Sequence, residues 1–234
     1  VMINLSYQVY YPLNTFLDLG QRLEKECLSV ADALIANCEG TLNAWKEHHQ
    51  VNVSTYVCHN ATHVQSLLSE AKQEAVMVLG SMRENKGTRS ILDAAQQLDV
   101  PFRWIGGTEN ERKHWGEELP LEAPIPHADI EHTLAQAKVL LLPLGNNAFS
   151  HRFTSPLKFW DYLATDRPIV AANTQAVKEI CSQFEANIFT YEPENSDSIQ
   201  NAVALACKAP KRKPVRRTWN TRAKELSQIL AAVQ

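Results

Sequence analysis

Apolar residues along this chain follow two alternating rhythms. Short runs rich in Val, Ile and Leu, at 33–38, 74–81, 138–144 and 168–172, lack polar alternation, which predicts strands covered on both faces. Between them lie stretches of about ten residues with apolar positions every three or four, the period of a helix. Read in order, the pattern predicts a short strand at 2–5, a helix at 15–31, a strand at 33–38, a helix at 40–49 and a strand at 51–58. It then predicts a strand at 74–81, a helix at 86–98, a strand at 102–107, a helix at 109–117 and a short extended piece at 121–124. A helix at 129–137, a strand at 138–144, a long loop at 145–154, a helix at 156–164 and a strand at 168–172 follow. The last elements are a helix after Gln175, a strand at 188–191 and helices at 195–207 and 216–233. Strand and helix in strict alternation predict an α/β fold, a doubly wound parallel sheet with helices on both faces. Ligands of such sheets sit outside the carboxyl ends of the strands.

The stretch "CHNATH" (58–63) interrupts the periodic pattern and predicts a boundary. Residues 1–59 hold less than half of a doubly wound domain, too little to close a sheet, and read as the end of a domain that continues upstream. Residues 60–207 are long enough for a complete one. Residues 208–234 contain "KAPKRKPVRR", six basic residues and two prolines, which reads as an extended solvated linker into the last helix, with phosphate or membrane-surface contact as the alternative.

Composition adds exclusions. The 234 residues are 44% hydrophobic and 21% charged with a net charge of −3, an ordinary globular balance without the basic excess expected of a nucleic-acid binder. No apolar run reaches the ~20 residues of a membrane helix. The five cysteines form no C-x-x-C pair, which argues against a zinc site or a disulfide framework and for a cytoplasmic setting. The sequence has no H-E-x-x-H and no G-x-S-x-G, and no metal is expected. The histidines are read as surface residues, His151 differing only in lying in the loop before 156–164.

Two loops at strand ends carry candidate chemistry. "GSMRENKG" (80–87) runs from a strand into a helix, with Gly80 permitting a close turn and Arg83 and Lys86 adding cations where free helix amides favour an anion. A plain turn is the competing reading. In "TSPLKFWDYLATDRPIVAA" (154–172), Pro156 suits the first helical position and Ser155 the cap. Lys158 then falls in the first helical turn, where the dipole disfavours a cation unless an anion lies nearby. Asp161 shares its face, so a local ion pair is the competing reading. Phe159, Trp160 and Leu163 read as core. The charged loop "GTENERKHWGEE" (107–118) reads as a solvated helix and connection.

Taken together, "VCHNATH", "VMVLGSMRENKGTRSILDAAQQL", "RWIGG", "HTLAQAKVLLLPL" and "SPLKFWDYLATDRPIVAA" resemble, in order, the C-terminal half of a retaining glycosyltransferase of the GT-B fold, group 1 (family 4) type. The resemblance implies a Rossmann-like domain that binds a nucleoside diphosphate sugar and transfers the sugar, without a metal or other cofactor, to a glycan or lipid-linked acceptor in cell-surface polysaccharide synthesis. It places Lys86 on the donor diphosphate, Ser155, Leu157 and Lys158 on phosphate, and Asp161 on the ribose hydroxyls, with Gly80, Ser81 and Arg83 in the first loop. Lys86 and Lys158 would be the residues that stabilise the leaving diphosphate. Ser81 stands where the family has a phosphate-binding Arg, Phe153 stands where it has an acid facing the transferred sugar, and Asp161 is one methylene shorter than the family's Glu. Ser81 and Phe153 favour an alternative, a non-catalytic nucleotide-binding subunit or degenerate domain that works with a partner chain, whereas Lys86, Lys158 and Asp161 favour the enzyme. Peripheral contact with the inner membrane face accompanies the lipid-linked acceptor.

Overall fold

The structure, a computed structural model, describes residues 14–65, 73–116, 119 and 121–233. The strand expected at 2–5 lies outside them. Two parallel sheets organise the chain.

The first sheet pairs β1 (Ala33–Ala36) with β2 (Ser54–Val57), Ala33 opposite Ser54 and Ala36 opposite Val57. Helix α1 (Asn14–Ser29) precedes it and α2 (Glu39–His48) connects the two strands. Trp45 and Ala44 of α2 form a small core with Leu28, Leu34 and Val51, and Phe153 enters it from far along the chain. Helix α2 lies so close to Arg152 that a Cβ on Gly40 would fall 1.8 Å from its carbonyl oxygen, so only glycine fits there.

The second sheet has six strands in the order β5-β4-β3-β6-β7-β8, all parallel. They are β3 (Ala75–Leu79), β4 (Phe102–Ile105), β5 (Leu121–Glu122), β6 (Ala137–Leu142), β7 (Ile169–Ala172) and β8 (Phe189–Tyr191). From β3 the chain steps outward through β4 to β5, returns to place β6 beside β3, then steps outward the other way. The reversal opens a crevice at the carboxyl ends of β3 and β6, where open α/β sheets bind ligands.

Every residue of β3 and β7 is buried, as the unbroken apolar runs require. The crossovers are α3 (Thr88–Ala95), α4 (Glu109–Trp115), α5 (Ile130–Ala135), α6 (Ala148–Arg152), α7 (Leu157–Leu163) and α8 (Gln175–Gln183); α9 (Ser196–Cys207) follows the last strand and α10 (Trp219–Ala232) ends the described chain. Phe159, Trp160 and Leu163 of α7 are fully buried, as expected. Helix α7 is fixed over the crevice by Tyr162, whose buried hydroxyl accepts the Leu79 amide at the end of β3 (2.8 Å).

Four expectations need correction. The stretch 145–154 is not wholly loop: Asn147 caps α6 by accepting the Ser150 amide (2.9 Å), a capping signal read past in the sequence. The last helix begins at Trp219 rather than 216, because the chain before it is extended. That extended segment is not simply a solvated linker. Arg212 donates to the Leu163 and Thr165 carbonyls (2.8 and 2.7 Å), closing the end of α7, and its burial pushes its pKa down to about 10. Lys211 pairs with the buried Asp166 (3.1 Å), and Arg217 is buried against Trp160 and Phe184. Finally, His59 is not a surface residue: it is 1% exposed, with Nε2 2.8 Å from Gln183 Oε1.

Candidate functional site

The floor of the crevice is set by close backbone approach. Gly80 ends β3 with φ +134°, its amide donating to Ile105 and its carbonyl accepting the Trp104 indole (3.1 Å). The chain then passes half-buried Ser81 and buried Met82, whose carbonyl accepts the Trp115 indole N–H. Residues Glu84–Lys86 form one 3-10 turn that closes on Gly87 in the left-handed region (φ +72°). This turn and the glycine delay α3 to Thr88, two residues after the expected start. Beside it, Gly145 follows β6 so tightly that an added Cβ would lie 2.3 Å from the Asn85 carbonyl oxygen. Asn147 donates to that same carbonyl (2.7 Å), so the loops after β3 and β6 are locked together.

Lys86 stands in this junction. Its ammonium has neither hydrogen bond nor ion pair among the described residues. Burial, then the Arg83 cation, and also the Lys158 cation push its pKa below the ordinary lysine value, against an opposing pull from Glu111. Arg83 is largely exposed, with Nε 3.8 Å from Glu111 Oε1. Glu111 is held in turn by a capping box with Thr108 at the start of α4. The charged stretch after Gly107, read as solvated, therefore contributes a carboxylate, Glu111, that moderates the Arg83 and Lys86 charges.

The second loop differs from expectation in its cap. Pro156, not Ser155, is the N-cap of α7, and Leu157, 53% exposed, is its first residue. Ser155 is buried, and its hydroxyl accepts the Trp160 indole N–H (3.0 Å) and the Asn60 amide (3.2 Å). Lys158 and Asp161 form the local ion pair that the sequence allowed as the competing reading, Nζ to Oδ2 at 3.2 Å. Asp161 Oδ1 accepts the Thr62 hydroxyl (2.6 Å). A carboxylate has about four lone-pair positions, so these two bonds leave acceptor capacity on a side chain that is 16% exposed. Phe153, the position of the missing acid, packs into the small core with Trp45.

Sequence reasoning missed Asn60, Thr62, Gly145 and Asn147. Gly145 directly after an apolar strand was a legible signal, whereas Asn60 and Thr62 looked like an interruption between two units. Among the described residues, no group of three or more His, Cys, Asp or Glu side chains is gathered as for a metal ion, and no helix is long and apolar enough to cross a membrane.

This arrangement, a cation-bearing turn locked against the loop after β6 at a topological switch point, accompanies a match over residues 73–208 to the family described as glycosyl transferases group 1. The chain belongs to the group 1 glycosyl transferases. Solved structures of GT-B glycosyltransferases share the fold of this transferase. Anabaena HepE, solved with UDP-glucose, is 16% identical with a TM-score of 0.66, over 94% of this chain and 69% of that one. AviGT4, of avilamycin A biosynthesis, is 11% identical with a TM-score of 0.57, over 87% and 66%. S. aureus TarM is 15% identical with a TM-score of 0.53, over 92% and 44%. No curated protein sequence matches the transferase. The parallel six-stranded sheet and these neighbours bear out the expected α/β, Rossmann-like fold.

Proposed function

We propose that the transferase moves a sugar, with retention, from a nucleoside diphosphate sugar to a glycan or lipid-linked acceptor, as a family 4 enzyme of cell-surface polysaccharide synthesis at the inner membrane face. The observation that carries this reading is the half-buried Lys86, set in a turn locked to the loop after β6, whose ammonium has no hydrogen bond or ion pair among the described residues. A partly desolvated cation without a partner is costly, and a diphosphate would neutralise it. HepE was solved with UDP-glucose, and TarM with UDP, fondaparinux and α-GlcNAc-glycerol, which supports a uridine diphosphate sugar as donor and a glycan-type acceptor.

In this reading residues 60–207 are the donor domain, 1–59 the end of an acceptor domain and 208–234 the return segment. Lys86 and Lys158 stabilise the charge that develops on the leaving diphosphate, and no metal is required for that step. Gly80, Ser81 and Arg83 line the first phosphate loop, Ser155 and Leu157 flank the second, and Asp161 has acceptor capacity left for a ribose hydroxyl. The test is calorimetry with UDP and UDP-glucose, followed by NMR assignment of the product anomer. Tight UDP binding and a product of retained configuration are expected. No binding of any nucleoside diphosphate would overturn the site, and an inverted product would overturn the mechanism.

A second reading is a degenerate, nucleotide-binding partner subunit. Phe153 favours it, since the side chain at this position is committed to apolar packing with Trp45. UDP binding without transfer or donor hydrolysis, in the presence of the full cell extract, would select it.

A further inference from the structure

Residues 58–64 cross from the first sheet to the second and lie against the start of α7. The Cys58 amide still bonds to the Ala36 carbonyl beside β1 (2.8 Å). Two residues on, Asn60 grips Ser155 twice, its amide donating to the hydroxyl (3.2 Å) and its side-chain Nδ2 to the carbonyl (2.7 Å). Thr62, 2% exposed, donates its hydroxyl to Asp161 Oδ1 (2.6 Å) and accepts the Val64 amide (2.9 Å). The buried Arg217 also holds this strap: its Nε donates to the Asn60 carbonyl (3.0 Å), its Nη2 to the His59 carbonyl (3.1 Å), and its own carbonyl accepts the Thr62 amide (2.9 Å).

The bonding of Thr62 leaves no ambiguity in its direction. A hydroxyl has one proton, and with the Val64 amide on its lone pair that proton goes to Asp161. Asp161 Oδ1 is thereby fixed, and Oδ2 is turned toward the Lys158 ammonium at 3.2 Å. A carboxylate torsion is otherwise broad, and a lysine side chain carries four rotatable bonds, so neither group would hold its place unaided. We infer that Asn60 and Thr62 are positioning residues for the second phosphate loop: the strap fixes Ser155 and Asp161, and Asp161 in turn holds the Lys158 ammonium. The inference rests on the donor-site reading above. It links the segment between the two sheets directly to the diphosphate, so displacement of that segment releases Lys158.

The test is calorimetry on the full chain with UDP, GDP and ADP, continued with whichever binds most tightly. Thr62→Val removes the donor while keeping the shape and is expected to weaken nucleotide binding about threefold, no more than loss of the Lys158 ammonium itself, since the group it orients is still present. Thr62→Ser is expected to bind as the unaltered chain does. The decisive comparison is Thr62→Val in a Lys158→Ala background, where it should add a clearly smaller loss than in the unaltered chain, because one of the two groups it positions is gone and only the Asp161 contact remains. A purely structural role for Thr62 would weaken binding equally in both backgrounds and overturns the inference, as does undiminished binding by Thr62→Val. Should Thr62→Val not fold, Asn60→Ala, which leaves the Thr62 bonds in place, decides by the same comparison, with about threefold weakening expected. If the unaltered chain binds no nucleoside diphosphate, the donor-site reading falls and this inference with it. Binding by the unaltered chain with a null strap variant overturns the inference alone.

Discussion

The two cation-bearing loops solve one electrostatic problem in opposite ways. The loop after β3 keeps Lys86 without a bonded partner among the described residues and secures it through backbone: the 3-10 turn, Gly87, and the junction with Gly145 and Asn147. The loop before α7 pairs Lys158 at once with Asp161 and secures that pair through side chains, Thr62 on Asp161 and Asn60 on Ser155. The first is a rigid cradle with unspent charge. The second is a charge already half neutralised, whose aim depends on a neighbouring strap. A diphosphate arriving between them would satisfy Lys86 outright but would share Lys158 with Asp161.

The largest effect expected from this asymmetry is at Lys86. Removing its charge in Lys86→Ala should weaken UDP binding by about 10- to 100-fold, the range for a charge-assisted hydrogen bond. The same substitution should leave folding intact or improve it, since a partly desolvated cation is removed. Calorimetry beside thermal unfolding checks both signs. If the affinity holds, the cradle does not face the ligand.

Gly145→Ala attacks the backbone rather than the charge. Its Cβ would meet the Asn85 carbonyl oxygen and Gly87 nitrogen, so the two loops must separate at a cost of roughly 1–3 kcal/mol, read by denaturant unfolding. UDP affinity should fall with it although no charged group has changed. Unaltered stability would mean that the loops yield without cost.

The pH dependence sharpens the comparison further. Lys86 has its pKa lowered by burial and neighbouring cations, so the folded chain releases this proton at a lower pH than the unfolded chain does. Diphosphate binding needs the ammonium; it should be full at neutral pH and decline as the pH rises toward, but still below, the ordinary lysine value of 10.5. Over that same interval the Lys86 contribution to folding stability becomes more favourable, because there the unfolded state binds more protons. Binding isotherms and unfolding curves between neutral and alkaline pH should therefore run in opposite directions, and Lys86→Arg should flatten both.

The smallest effect is expected at Lys158. Its charge is already shared with Asp161 and is partly exposed, so Lys158→Ala should weaken UDP binding about three- to tenfold, less than Lys86→Ala. An equal or larger loss would show that the ion pair opens completely when the ligand arrives.

Much of this fold was legible in the sequence because burial leaves a periodic record. Val76, Met77 and Val78 had to be covered on both faces, and the alternation with helices allowed little besides a parallel sheet. Lys86 and Lys158 were legible for a similar local reason: each is a cation beside a turn and a helix start, and the ordered motifs around them resembled one family. The cap of α7 was misassigned because Ser155 looks like a capping residue, yet its hydroxyl is drawn off by Trp160 and Asn60. The basic segment before α10 was misread because composition cannot tell a solvated arginine from one closing a helix, as Arg212 does.

The sequence by itself determined which segments are strands, the class of sheet they build and the two loops that carry cations, since spacing along the chain is enough to fix those. Only the tertiary structure decided what the cations face and what restrains them. Thr62 and Asp161 are separated by 99 residues, and Asn147 and Asn85 by 62. A hydrogen bond at 2.6 Å constrains directions in space that no local period records, and so the partner of a polar side chain is settled by the fold.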